Sequence, residues 1–259
     1  MRVAWVTHQQ PSTEGAYNGD NLLPGKFAGG AERSNYNRIK GAPKGVEVTY
    51  IHPDHYRSSF DFDFRIIGAT DLLSHEAKLE IAQTKYALAL THPQGPSEGN
   101  RALFESARVV IGLTPAHLQA SVHNYETKHS GWVMTPVELD KIRIGNKQDF
   151  ALHAARKDWW KGEDNARAWA SAANIPLTVM QRETHETVLE TMSRARYFVH
   201  LPKILDAEPS AVIEAVLSGC EIISNDNVGL RSVPNWDNPD ALRRLQETAA
   251  DDFWQMALN

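Results

Sequence analysis

Cysteine is nearly absent from this chain. Cys220 is the only one in 259 residues, so neither an internal disulfide nor a cysteine-built zinc site can form. A cytoplasmic location is therefore expected. Long apolar runs are missing too. No stretch approaches the roughly 20 residues that a membrane-spanning helix needs, and no integral membrane contact is expected. The opening run Met1–Val6 is too short for the apolar centre of a secretory signal and reads as a first strand. Positive charge is not in excess: 27 Lys and Arg against 32 Asp and Glu give a formal net charge of −5. That argues against a globally basic nucleic-acid binder and leaves room for a local basic cleft around an anion. The tight dinucleotide turn GxGxxG does not occur, which weakens a nicotinamide or flavin reading. The phosphate loop GxxxxGK followed by Ser or Thr is also missing, so a P-loop hydrolase is not expected.

What is present is an ordinary globular composition, 42% apolar and 23% charged, in a chain long enough for two small domains. Short apolar runs alternate with longer amphipathic stretches. The pattern predicts strands at Val3–Val6, Val46–Ile51, Phe64–Gly68, Tyr86–Leu90 and Val109–Leu113. Helices are predicted between them at Ala31–Lys40, Leu73–Thr84, Asn100–Ala107 and Ala116–Tyr125. The segment Gly131–Gly145 lacks periodicity, and a domain boundary is set near residue 145. A second series follows: strands Phe150–Ala154, Leu177–Met180, Tyr197–His200 and Glu221–Ser224, with helices Glu163–Ala173, Thr184–Ser193 and Ser210–Ser218. Pro239–Leu258 reads as a terminal helix. Strands alternating with helices imply parallel βαβ units. The expected fold class is α/β: two Rossmann-like domains, 1–145 and 146–259, facing across a cleft.

Three signals carry chemistry. The strongest is the run Pro202–Cys220, in which a loop with Asp206 and Glu208 leads through Pro209 into a helix. Ser210 is the expected N-cap, and the backbone N–H groups around 210–213, with Ser210 and Ala211 at their head, suit a diphosphate together with the helix dipole. Glu214 lies about one turn inside the same helix, where its carboxylate can accept two hydrogen bonds from a ribose diol. The simpler account is that such acids complement the dipole. The second signal is Arg156-Lys157-Asp158-Trp159-Trp160-Lys161-Gly162, at the end of the first strand of the second domain. A guanidinium and an ammonium suit phosphate oxygens and stabilise charge on a departing diphosphate. Trp159 and Trp160 read either as core or as pocket wall. The third signal is Gly29-Gly30-Ala31-Glu32, where glycines let the backbone approach a phosphate or sugar closely.

In this order, these residues resemble the retaining GT-B glycosyltransferases, enzymes with two Rossmann-like domains that use nucleotide sugars (glycosyltransferase group 1, family 4-like), in a compact version. The family's second domain carries an Arg, four residues, then Lys-Gly, matched by Arg156 and Lys161-Gly162. It also carries a proline and two acids with seven residues between them, matched by Pro202, Asp206 and Glu214. Gly29 and Gly30 resemble the family's donor-contacting turn. Two departures stand out. The first acid is Asp206 rather than Glu, and Glu208 and Pro209 replace the glycines that follow it.

The resemblance implies a nucleoside-diphosphate sugar as donor, UDP-sugar favoured. It implies transfer to an acceptor hydroxyl with retention, and no cofactor or metal. Glu214 would hold the ribose. Arg156, Lys161 and the N–H groups at Ser210 and Ala211 would hold the diphosphate. Asp206 or Glu208 would hold the sugar, and Gly29 and Gly30 would close on the donor. His92, after the strand Tyr86–Leu90, would orient the reacting centre. Thr114, His117 and Thr135 sit at comparable loop positions with a weaker claim. Asp61-Phe62-Asp63 and His52-Pro53-Asp54-His55 contain metal-ligand types, but Asp63 reads as a surface residue at a strand start and the His pair lacks a further ligand.

The acceptor is open among saccharide, lipid, small molecule and modified DNA base. A basic groove from Arg33, Arg38, Lys40 and Lys44 would favour DNA, and a solvated helix face explains the same residues. Two other functions stay open: an epimerase of the nucleotide sugar, and a non-catalytic nucleotide-sugar binding protein.

Overall fold

A computed structural model describes residues 1–7, 30–68, 70–91, 97–155, 158–181 and 183–259. It divides into two compact units. Among the described residues, one comprises 1–7, 31–136 and 248–259, and the other 137–247. The sequence expectation places a single boundary at residue 145. The structure turns to the second unit after Pro136 and returns to the first within the last helix.

The first unit alternates strands β1 (Arg2–Val6), β2 (Glu47–Ile51), β3 (Phe64–Ile67), β4 (Tyr86–Ala89), β5 (Val110–Gly112) and β6 (Ser130–Trp132) with helices α1 (Gly30–Lys40), α2 (His75–Ile81), α3 (Glu98–Ser106) and α4 (Pro115–Val122). All strand pairs are parallel, in the order β2-β1-β3-β4-β5-β6. Period-two alternation in β1 sends Ala4 and Val6 into one core, with Ile67, Leu88 and Phe104, and Val3 and Trp5 into another. Burial on both faces is why these strands read as continuous apolar runs. Helix α8 (Pro239–Leu258) covers the second face: Phe253 and Trp254 lie 5.4 and 6.1 Å from the Trp5 ring, and the Trp254 indole donates to the Arg38 carbonyl at 2.6 Å. Strand β6 overlaps the start of the segment Gly131–Gly145, which is expected to lack regular structure. It is a strand because β5 supplies its partner residues, not because its own three residues alternate.

The second unit contains β7 (Gln148–Ala154), α5 (Glu163–Ala173), β8 (Leu177–Met180), α6 (His185–Arg194), β9 (Ala195–His200), α7 (Ser210–Leu217) and β10 (Glu221–Ser224). Its parallel sheet has the order β10-β9-β7-β8. The order reverses between β7 and β9, so the chain leaves their carboxyl ends in diverging directions and opens a crevice there. Both chemical signals of this half of the sequence follow those two strands.

Candidate functional site

The loop after β7 is held against the loop after β9. Lys203 N–H donates to the Trp160 carbonyl at 2.8 Å, and the Asn165 side chain donates to the Leu201 carbonyl at 3.0 Å. Gly162 makes this approach feasible. Its φ is +81°, and a Cβ built on it would stand 1.9 Å from the Leu201 carbonyl oxygen. The Lys-Gly pair thus has a steric cause: lysine needs to reach the crevice, and the next residue needs to have no side chain.

Lys161 and Asp206 meet at this point. The ammonium lies 2.7 Å from Asp206 Oδ2 and 4.1 Å from the centre of the Trp160 ring. His200, the last residue of β9, brings Nε2 to 2.7 Å from the same oxygen. Since a carboxylate only accepts, His200 Nε2 is the donor. The Asp206 backbone is fixed as well: its N–H donates to the Asn227 carbonyl and its carbonyl accepts from Gly229 N–H, both at 2.8 Å. Glycine at 229 is required by that contact, because a Cβ there would lie 2.3 Å from the Ala207 oxygen. Behind His200 the ring of His153 stacks at 6.2 Å, and His153 Nδ1 donates to the Val199 carbonyl at 2.9 Å. Burial pushes the His153 imidazole below its ordinary value, so the ring stays neutral.

Burial alone would raise the Asp206 carboxyl. The hydrogen bond from His200 and the charge of Lys161 oppose burial and outweigh it, so the group lies below its ordinary 3.8. A depressed carboxyl contributes stability above its unfolded value and loses that contribution as pH falls through its folded value. Acid unfolding should therefore take up a proton at this position below pH 3.8, and Asp206→Asn should flatten the fall in stability over that range. An identical acid limb in the variant, measured by denaturant titration at stepped pH, would contradict the ion-pair account.

Helix α7 starts one residue earlier than a Ser210 cap would allow. Pro209 is the N-cap and Ser210 is the first helical residue, so the expected Ser210 cap is corrected. Proline has no side-chain acceptor, and its extended ψ of 105° turns the chain into the helix. The N–H groups of Val212 and Ile213 both reach the Pro209 carbonyl, at 2.9 and 3.4 Å, which narrows the expected anion-facing donors from 210–213 to Ser210 and Ala211. Ser210, Ala211 and Glu208 are half-buried, while Asp206 is 7% and Glu214 3% exposed. Glu214 accepts from His185 Nε2 at 2.8 Å.

Thus Lys161, Asp206, Glu208, Ser210, Ala211 and Glu214 belong to one unit, around the carboxyl end of β9 and the start of α7. Gly30 is the first residue of α1 rather than part of a turn before it. Arg156, Gly29 and His92 lie outside the described residues. Trp159 is 72% exposed, whereas Trp160 backs the Lys161 ammonium. Thr114 and His117 are buried in the cap of α4, where the Thr114 hydroxyl accepts from His117 N–H at 3.2 Å. Asp63 is exposed, as expected, and accepts from Arg2 N–H at 2.7 Å. Among the described residues no three His, Cys, Asp or Glu side chains gather as metal ligands, and no helix is long and apolar enough to cross a membrane. Sequence reasoning missed His200, His185 and Glu138. His200 was legible only as a strand end, and nothing local marks the other two.

No protein-family model and no curated protein sequence matches the chain. Solved structures do. Sucrose-phosphate synthase from Thermosynechococcus elongatus is similar over 98% of this chain and 90% of its own, with a TM-score of 0.64 and 14% identity. Anabaena HepE, in complex with UDP and glucose, is similar over 98% and 91%, with a TM-score of 0.62 and 10% identity. AviGT4, a glycosyltransferase involved in avilamycin A biosynthesis, gives 98% and 91%, a TM-score of 0.60 and 14% identity. Two parallel α/β units with this strand order, similar to those structures over nearly the whole chain, have the GT-B glycosyltransferase fold.

Proposed function

We propose that this protein is a glycosyltransferase. It moves a sugar from a nucleoside-diphosphate sugar, UDP-sugar favoured, to an acceptor hydroxyl with retention of anomeric configuration. One observation carries the reading. An ammonium is held in place by Asp206 and Trp160 at the switch point of a parallel sheet, in the same unit as a helix start that keeps two N–H donors unspent on its own turn. A cation and a helix N-terminus together suit a diphosphate.

In this scheme Lys161, Arg156 and the Ser210 and Ala211 N–H groups bind the diphosphate, and Glu214 accepts from the ribose diol. The bond from the anomeric carbon to the β-phosphate oxygen breaks, and the negative charge that gathers on that oxygen is met by Lys161, which Asp206 already holds in place, together with Arg156. The acceptor oxygen bonds to the anomeric carbon on the same face, and its proton passes to the departing phosphate. Asp206 keeps Lys161 aimed, while Glu208 binds sugar hydroxyls. Gly29 and Gly30 close on the donor, and His92 orients the reacting centre. Metal is not needed, because the chain's own cations carry the charge.

The test is a thermal-unfolding series with UDP, other nucleoside diphosphates and their sugars. At a ligand concentration a hundred times Kd, the folded state gains about 2.7 kcal/mol, and UDP and one UDP-sugar should raise the midpoint with or without a chelator. No shift with any nucleoside diphosphate would sink the assignment.

A further inference from the structure

Glu214 is almost fully buried, and its carboxylate is already engaged from one side. His185 opens α6 behind the cap of Thr184, whose hydroxyl accepts from Thr187 N–H at 3.1 Å. From there its Nε2 lies 2.8 Å from Glu214 Oε1, and its Nδ1 lies 3.6 Å from Glu138 Oε2. Glu138 Oε1 pairs with Lys141 at 2.6 Å, and Oε2 is buried with no hydrogen-bond partner among the described residues. The three side chains are 4%, 18% and 15% exposed for Glu214, His185 and Glu138. They come from three separate parts of the second unit and form a line: Glu138, His185, Glu214.

We propose that His185 is a positioning residue that aims Glu214 at the ribose diol of the donor, with Glu138 holding the far side of the imidazole. The proposal rests on the nucleotide-sugar reading above and adds the device that selects a ribonucleotide. A glutamate has three side-chain torsions, and fixing them costs entropy that ligand binding would otherwise supply. A donated N–H from His185 fixes them beforehand. One carboxylate has about four acceptor positions, and the imidazole N–H takes one of them. The Glu138 carboxylate faces the other side of the ring, Nδ1 to Oε2 being 3.6 Å, a charge contact longer than a hydrogen bond that favours this ring orientation.

The experiment compares the dissociation constants of UDP and 2′,3′-dideoxy-UDP on the full chain by calorimetry. The unsubstituted protein should prefer UDP. His185→Ala should weaken UDP about tenfold, the effect of one hydrogen bond to a charged group, and leave dideoxy-UDP unchanged, so the preference collapses. His185→Gln, whose amide nitrogen reaches the Nε2 position, should restore most of the preference. Glu138→Gln, which keeps the shape of the outer side chain, should give the same selective loss at about threefold, and it serves if His185→Ala does not fold. Equal weakening of both ligands in these variants, or an unaltered preference, would overturn the positioning role. Failure of the unsubstituted chain to bind UDP at all would instead overturn the donor-site reading itself, before any variant is made.

Discussion

Transfer is expected to fall about a thousandfold or more when Arg156 and Lys161 are both replaced by alanine, since loss of even one preorganised donor to developing charge costs about a hundred- to a thousandfold. The structure adds a complication that a motif alone does not reveal. Lys161 is also the ion-pair partner of a buried carboxylate. Deleting it strands Asp206 with His200 as the remaining side-chain donor seen at that oxygen, and breaking a buried pair by removing one member costs about 3–5 kcal/mol. Lost turnover could then reflect a poorly folded second unit. The informative comparison places the double substitution in an Asp206→Asn background, where no unpaired charge is left behind. That triple variant should unfold near the midpoint of Asp206→Asn alone and still show no transfer. Provided that Asp206→Asn alone retains measurable transfer, undiminished turnover in the triple variant would remove Arg156 and Lys161 from the chemistry.

Gly162→Ala is expected to destabilise the second unit by more than about 3 kcal/mol. Left-handed backbone costs an L-residue about 1–2 kcal/mol, and φ here is +81°. The larger part is steric. The new methyl would sit 1.9 Å from the Leu201 oxygen and 2.5 Å from its carbonyl carbon, both main-chain atoms that no rotamer change can move. The loop carrying Lys161 would have to lift away from the loop leading to Asp206. Binding of UDP should weaken along with stability. An unchanged denaturant midpoint in Gly162→Ala would show that the two loops are not locked together.

Much of this was legible in the primary structure. Helix α5 and strands β8 and β10 span the residues that the sequence pattern predicts: α5 is amphipathic and ends at Asn174, and the two strands are short, mainly apolar runs between helical stretches. Strand β6 was not, since Ser130-Gly131-Trp132 has no repeat of its own and is defined by β5. At the site, Lys161 and Asp206 were found through fixed spacings within short segments. The Glu138, His185 and Glu214 line joins residues 29 or more positions apart, so only the packing of α6 against α7 brings it together. The cap of α7 failed for a local reason: Ser is a better cap than Pro by propensity, but the backbone had already turned at Pro209.

Helix α8 has a consequence for biosynthesis. Its last turns supply Phe253, Trp254 and Ala257 to one face of the sheet whose first strand is made of Arg2–Val6. A ribosome therefore exposes that strand long before it releases the aromatic residues that shelter it. The unit translated earlier matures later, and its bare sheet face has to survive as nascent polypeptide until the final helix emerges from the exit tunnel.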